Sequence, residues 1–163
     1  MDIVKIFQYA LQREHEGKNF FEQNANRLSH ASAVGVFKRL AEEEQRHINF
    51  IQAQLDALGK GHSPDIAAGL AIEATGFFSL RAQSEMIDQT VSEAMVPDLP
   101  VLRMAYLIER DFAEFYELSA SQTSGQAQEV LKMLAGWERV HEHLFKQMHD
   151  RAFEQYAEMP WGG

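Results

Sequence analysis

The 163 residues of this chain include no cysteine. Disulfides, thiolate zinc sites, iron–sulfur clusters and cysteine nucleophiles are therefore excluded, and a metal ion could bind only through oxygen and imidazole nitrogen. Long hydrophobic runs are also missing, since nowhere do about 18 uninterrupted apolar residues occur. We therefore predict no transmembrane helix and expect a soluble, cytoplasmic protein.

Positive charge is in the minority. Lys and Arg number 15 against 24 Asp and Glu, which gives a net charge of -9. Nucleic-acid phosphates and anionic membrane surfaces repel such a chain, so we expect neither as a partner and favour small molecules and metal cations. The hydrophobic share of 45% is ordinary for a globular protein, and the length suits one domain.

Proline is rare, with four in the chain, and two long tracts are free of this helix breaker. Apolar residues in both tracts recur at helical spacing, which predicts an all-α fold. The predicted organisation is a helical hairpin over 2–58 (helices at about 2–28 and 33–58), a long, partly helical crossover over 59–97, a second hairpin over 98–156 (helices at about 98–121 and 127–156) and a tail over 157–163.

The crossover is too long for a plain loop in a compact domain. Between Met86 and Ala94 apolar residues share one helical face, so we expect short helices there. Asp98 begins the second hairpin and is predicted to cap its first helix, with Pro100 in the first turn.

The two hairpins resemble each other in sequence. "VFKRLAEEEQRH" (36–47) and "VLKMLAGWERVH" (130–141) share Val, Lys, Leu, Ala, Glu and His at an offset of 94 residues. Upstream, "ALQREHEGKNFF" (10–21) and "AYLIERDFAEFY" (105–116) share Ala, Glu and an aromatic pair at an offset of 95. The chain is therefore interpreted as a duplicated helical hairpin.

Each repeat contributes one Glu on its first helix and a Glu-x-x-His pair on its second. Positions i and i+3 lie on the same face of a helix, and the apolar neighbours on that face should turn it inward. Six ligand-type side chains are then expected to converge on one core: Glu14, Glu44, His47, Glu109, Glu138 and His141.

Four buried carboxylates beside two imidazoles would be strongly destabilising without cations, because each isolated buried ion costs several kcal/mol. Two divalent ions would neutralise them, and this ligand set is the established one of dimetal helix bundles. Iron or manganese suits it, and zinc is compatible. We interpret Glu44 and Glu138 as bridging ligands and Glu14 and Glu109 as terminal ones. The alternative is a coincidental set of surface Glu and satisfied His residues.

The segments "ALQRE", "LAEEEQRH", "AYLIERDFAEFY" and "LAGWERVH" resemble the ferritin-like diiron-carboxylate superfamily, and most nearly its rubrerythrin branch. The resemblance covers all four long helices and implies a single ferritin-like four-helix bundle over 1–163 with two iron ions on the six residues. It also implies a non-haem diiron oxidoreductase that reduces hydrogen peroxide or dioxygen with electrons from a separate donor protein. We further expect a homodimer or larger homo-oligomer.

Two departures from rubrerythrins bear on the activity. Phe112 stands where those proteins carry a further Glu one turn after the third-helix ligand, and without cysteine these residues form no rubredoxin-type iron site. A ferritin-like ferroxidase for iron storage or transfer is therefore an alternative function. Hydroxylation of an organic substrate is a second alternative, and it would require an apolar pocket beside the metals.

Two further interpretations concern neighbours of the predicted ligands. Tyr116, two turns after Glu109, is a candidate for a redox or hydrogen-bonding role in catalysis, and plain core packing is the alternative. Glu42 and Glu43 are interpreted as part of a charged outer face with no special role.

Overall fold

The computed structural model describes residues 2–75 and 97–160. Within these ranges the chain forms helices and no strand, which confirms the predicted all-α, ferritin-like class. We label the five helices in chain order as α1 (Ile3–Ala25), α2 (Ala31–Gly59), α3 (Ala67–Thr75), α4 (Leu99–Ser121) and α5 (Gly125–Glu158).

The helix ends differ from the predicted ones by up to three residues. Helix α1 stops at Ala25 rather than at about residue 28, and α5 continues to Glu158, into the segment predicted as a tail. Within the predicted crossover, α3 is helical. The short helices expected between Met86 and Ala94 lie outside the described residues.

Polar contacts at the helix ends explain where the chain turns. The Asp2 carboxylate accepts the backbone N–H groups of Val4 and Lys5 at 3.1 and 3.3 Å, which caps α1. Asp98 is the N-cap residue of α4, as predicted, with Pro100 in the first turn, but its side chain makes no hydrogen bond to the backbone of α4. Instead, its Oδ1 accepts the N–H of Ser29 at 2.9 Å and ties the α1–α2 turn to the start of α4.

Helix α1 packs along α2, and α4 packs along α5, so each repeat forms one hairpin. The apolar core lies in two parts, one around Phe7 and Trp137 and the other around Phe21, Phe37 and Phe145. The three Phe rings of the second part have centroids 5.4 to 5.5 Å apart. Along α1, Glu14 lies about two turns after Phe7 and about two turns before Phe21. The position midway between the two parts of the core therefore carries a carboxylate rather than an apolar side chain.

None of the described helices combines the length and the hydropathy that crossing a bilayer needs.

Candidate metal centre

The structure brings all six predicted ligand side chains together in the middle of the bundle. Every long helix contributes, because each predicted ligand lies on the face that its helix turns inward. All six are 0% exposed: Glu14 of α1, Glu44 and His47 of α2, Glu109 of α4, and Glu138 and His141 of α5.

A glycine gives the carboxylates room. Gly17 follows Glu14 by three residues, and a Cβ atom there would lie 2.9 Å from Cε2 of Phe112 and 3.6 Å from Oε2 of Glu44. Any larger residue would force the aromatic ring to move. The glycine therefore permits an aromatic ring and a carboxylate to lie against the same turn of α1.

The six residues form two groups of four, within each of which one ligand atom per residue lies within 4.8 Å of the others. Glu44 and Glu138 belong to both groups. One group is completed by Glu14 and His47. The other is completed by Glu109 and His141, so two adjacent four-ligand sites share two carboxylates. Two shared and two unshared carboxylates are the arrangement that the predicted bridging and terminal roles require. The roles themselves stay predictions.

Both imidazoles turn Nδ1 toward the carboxylates. Nδ1 of His47 lies 3.2 Å from Glu14 and 3.0 Å from Glu138. Nδ1 of His141 lies 3.4 Å from Glu44 and 3.6 Å from Glu109. The two rings are nearly parallel, with an interplanar angle of 10° and centroids 5.4 Å apart. Nδ1 is therefore the nitrogen that would bind a metal.

The crowding of charge shifts the pKa values of these groups. Burial raises the pKa of Glu14 and of Glu109, and the negative charges of Glu44 and Glu138 raise both further. Burial lowers the pKa of His47, but the carboxylates around it outweigh burial, and the net pKa is raised. The same balance raises the pKa of His141. Protons therefore compete with cations for this centre.

The hydrogen bonding of the carboxylates tests whether metal ions fit. Both oxygens of Glu44, Glu109 and Glu138 are buried, and apart from Nδ1 of His47 and His141 no hydrogen-bond donor among the described residues reaches them. Such acceptors are strongly destabilising if nothing compensates them. Two divalent cations would satisfy these oxygens and balance four negative charges. The oxygen and imidazole donors suit iron or manganese and are compatible with zinc, so the buried Glu and His residues fit a two-metal site.

Tyr116 links the two repeats at this centre. Its hydroxyl donates to Oε1 of Glu14, from α4 to α1, and the side chain is 1% exposed. Burial and then the charge of Glu14 raise the phenol pKa, so the tyrosine remains a proton donor. The contact supports the hydrogen-bonding role predicted for Tyr116, and its part in catalysis stays a prediction.

Aromatic side chains enclose the centre. Trp137 stacks on His47 with centroids 4.8 Å apart, and its indole N–H donates to Glu73 of α3 at 2.9 Å. Phe112 lies under the guanidinium of Arg13, whose central carbon is 4.7 Å from the ring centroid. These contacts keep water from the ligand atoms on two sides and bring α3 against the bundle.

The interpretation of Glu43 as part of an outer face is wrong. Glu42 is exposed as predicted, but Glu43 is 2% exposed, and one carboxylate oxygen lies within 4.8 Å of ring nitrogens of His47 and His141. The sequence repeat could have predicted that Glu43 is buried, because Glu43 aligns with Trp137, a large aromatic residue of the kind that is usually buried.

Comparisons with known proteins agree with this geometry. The family model described as Rubrerythrin matches residues 5–149, a range that includes all six predicted ligands. No curated protein and no solved structure matches the chain.

Proposed function

Since this chain belongs to the rubrerythrin family, we propose that its buried centre holds two iron ions and reduces hydrogen peroxide or dioxygen. One observation carries the proposal: two four-residue groups of carboxylates and imidazoles share Glu44 and Glu138 in a fully buried place. Two ions held side by side by shared carboxylates can act together on one small oxidant.

The chemistry requires two electrons and two protons for each peroxide reduced to two water molecules. A bound ferrous pair supplies one electron from each ion. Glu44 and Glu138 would hold both ions, and Tyr116 orients Glu14 by donating a hydrogen bond to it. Because its raised pKa keeps the phenol protonated, Tyr116 acts as a hydrogen-bond donor to Glu14 and not as a base.

Sustained turnover needs a source of electrons. With no cysteine, these 163 residues contain no ligands for a rubredoxin-type iron. The electrons must therefore come from outside these residues, and we propose a separate donor protein as their source. A homodimer or larger homo-oligomer and a cytoplasmic location remain parts of the same proposal.

A ferroxidase is the second candidate, and Phe112 favours it. Its ring lies against Gly17, near Glu44, so position 112 adds no further carboxylate to the six predicted ligands. In a ferroxidase the iron itself supplies the electrons and then leaves as product. Repeated ferrous additions without a donor would then be oxidised in full, and the assembly would need many subunits to store the product.

The experiment begins with anaerobic loading of two ferrous ions per chain. One equivalent of hydrogen peroxide should then produce the near-ultraviolet absorbance of ferric iron bound by oxygen ligands. Glu138→Ala should abolish the rise, whereas Glu42→Ala, an exposed neighbour of the centre's ligands on α2, should leave it intact. A wild-type protein that binds iron and gives no absorbance rise contradicts the redox function.

A further inference from the structure

Helix α3 carries one charged residue, and that residue faces the bundle. The sequence of α3 is AAGLAIEAT, in which Glu73 is the single ionisable side chain. A surface helix usually turns its charged residues to solvent. Glu73 is instead half-buried, and its Oε1 accepts the indole N–H of Trp137 at 2.9 Å. This carboxylate therefore satisfies the donor of a side chain that is 1% exposed.

The packing of α3 explains why Glu73 lies at this place. Gly69 precedes it by one turn on the same face of the helix and is buried. A Cβ atom on Gly69 would collide with Sδ of Met133 of α5, so a glycine is needed for α3 to come this close. Just before α3, the Gln54 side chain of α2 accepts the N–H of Asp65 at 2.8 Å and donates to its carbonyl oxygen at 3.0 Å. Helix α3 is therefore held against both α2 and α5.

Trp137 connects this helix to a predicted metal ligand. Its indole stacks on the imidazole of His47 with an interplanar angle of 27° and centroids 4.8 Å apart. Nδ1 of that imidazole lies 3.0 Å from Glu138 and 3.2 Å from Glu14. A tilt of the indole would therefore change the direction of Nδ1 relative to these two carboxylates.

We propose that Glu73 is a positioning residue for His47 and acts through Trp137. The hydrogen bond fixes the plane of the indole, and the stacked indole limits the rotation of the imidazole, so Nδ1 keeps the direction that a metal ion requires. This inference rests on the proposed metal site. It makes the two metal positions unequal, because the repeat aligns Trp137 with Glu43, which has no ring to stack. Helix α3 therefore helps to define the metal position of His47.

NMR of the metal-free protein tests this relation first. The indole N–H signal of Trp137, identified by its loss in Trp137→Phe, and the ring signals of His47 should both shift in Glu73→Ala. Glu73→Gln keeps an oxygen that accepts the indole N–H, so both signals should stay near their wild-type positions. Glu42→Ala removes the same charge from an exposed position and should move neither signal.

Zinc binding measures the consequence for the metal positions without any redox step. Zinc is titrated against a chromophoric chelator into the wild type and the same variants. We expect Glu73→Ala to weaken one of the two zinc ions about 3-fold to 10-fold, the range of a single aromatic contact. Glu73→Gln and Glu42→Ala should bind as the wild type does. Because Trp137→Phe already lacks the donor, adding Glu73→Ala to it should cause no further loss of affinity.

Ring signals of His47 that do not move in Glu73→Ala, or zinc affinities equal to those of the wild type, overturn the proposal. A loss of affinity that is equally large when Trp137 is already replaced also overturns it, since Glu73 would then act by another route. If the wild type binds no zinc, the metal site fails and this proposal fails with it. If the wild type binds two zinc ions but its ferrous form is inert to peroxide, the redox function fails and the role of Glu73 stands.

Discussion

The two kinds of carboxylate in the centre should respond differently to substitution. Glu44 belongs to both four-residue groups, whereas Glu14 belongs to one. Glu44→Ala therefore takes one of four ligands from each metal position, and Glu14→Ala takes one ligand from a single position. Removing one partner from a buried charged set costs about 3 kcal/mol, and about 1.4 kcal/mol corresponds to a tenfold change in affinity. We expect Glu44→Ala to weaken both ions roughly 100-fold and Glu14→Ala to weaken one.

Competition between the protein and a zinc chelator measures both affinities. The repeat supplies matched controls, because Glu138→Ala should behave like Glu44→Ala, and Glu109→Ala like Glu14→Ala. The exposed Glu42→Ala should bind as the wild type does. If Glu14→Ala and Glu44→Ala lose affinity at the same number of sites, the assignment of shared and terminal ligands is refuted.

Three further predictions follow from the same contacts. In the metal-free protein the pKa values of Glu14 and Glu109 are raised above the usual 4.5, and those of His47 and His141 above the usual 6.5. The folded state therefore holds these protons more tightly than the unfolded state, and the free energy of unfolding should fall as the pH rises above 4.5 and through the raised values. Urea unfolding with a chelator at several pH values measures this, and a stability that rises over that range would contradict it. Tyr116→Phe removes the hydrogen bond to Glu14 and should lower the free energy of unfolding of the metal-free protein by about 1 to 3 kcal/mol; an unchanged urea midpoint would count against that bond. Gly17→Ala should cost about 1 to 3 kcal/mol because its Cβ would lie 2.9 Å from the Phe112 ring, and Gly17→Ala combined with Phe112→Leu should recover part of the loss in the same assay.

The clustering of the six Glu and His residues could be predicted from the sequence because two independent regularities coincide. The i and i+3 spacing places Glu44 and His47 on one helix face, and the repeat places Glu138 and His141 on the equivalent face. A helical period determines which residues share a face. The duplication adds that both faces meet in the same core, which a single motif cannot indicate.

The burial of Glu43 was not predicted, because nothing within a run of three glutamates shows which of them faces the core. Leu40, Glu43 and His47 follow one another at helical spacing, as do Leu40, Glu44 and His47, so the inward face includes either carboxylate. Only the packing of α5 against α2 decides that both are buried. The position of Trp137 in the repeat would have favoured burial.

The sequence also could not predict that Tyr116 contacts Glu14. The repeat aligns Tyr116 with Phe21, and spacing along α4 relates it to Glu109. Its hydroxyl nevertheless reaches the carboxylate of α1, because α1 and α4 lie side by side in the bundle. Contacts between helices depend on how the hairpins pair, and residue spacing within one helix does not specify that.

The central claim is that four buried carboxylates are compensated by two cations. The most direct test is the number of ferrous ions that one chain binds anaerobically, determined by elemental analysis after removal of unbound metal. The account predicts two ions per wild-type chain. A wild-type chain that retains none, while it remains folded and helical, would contradict it.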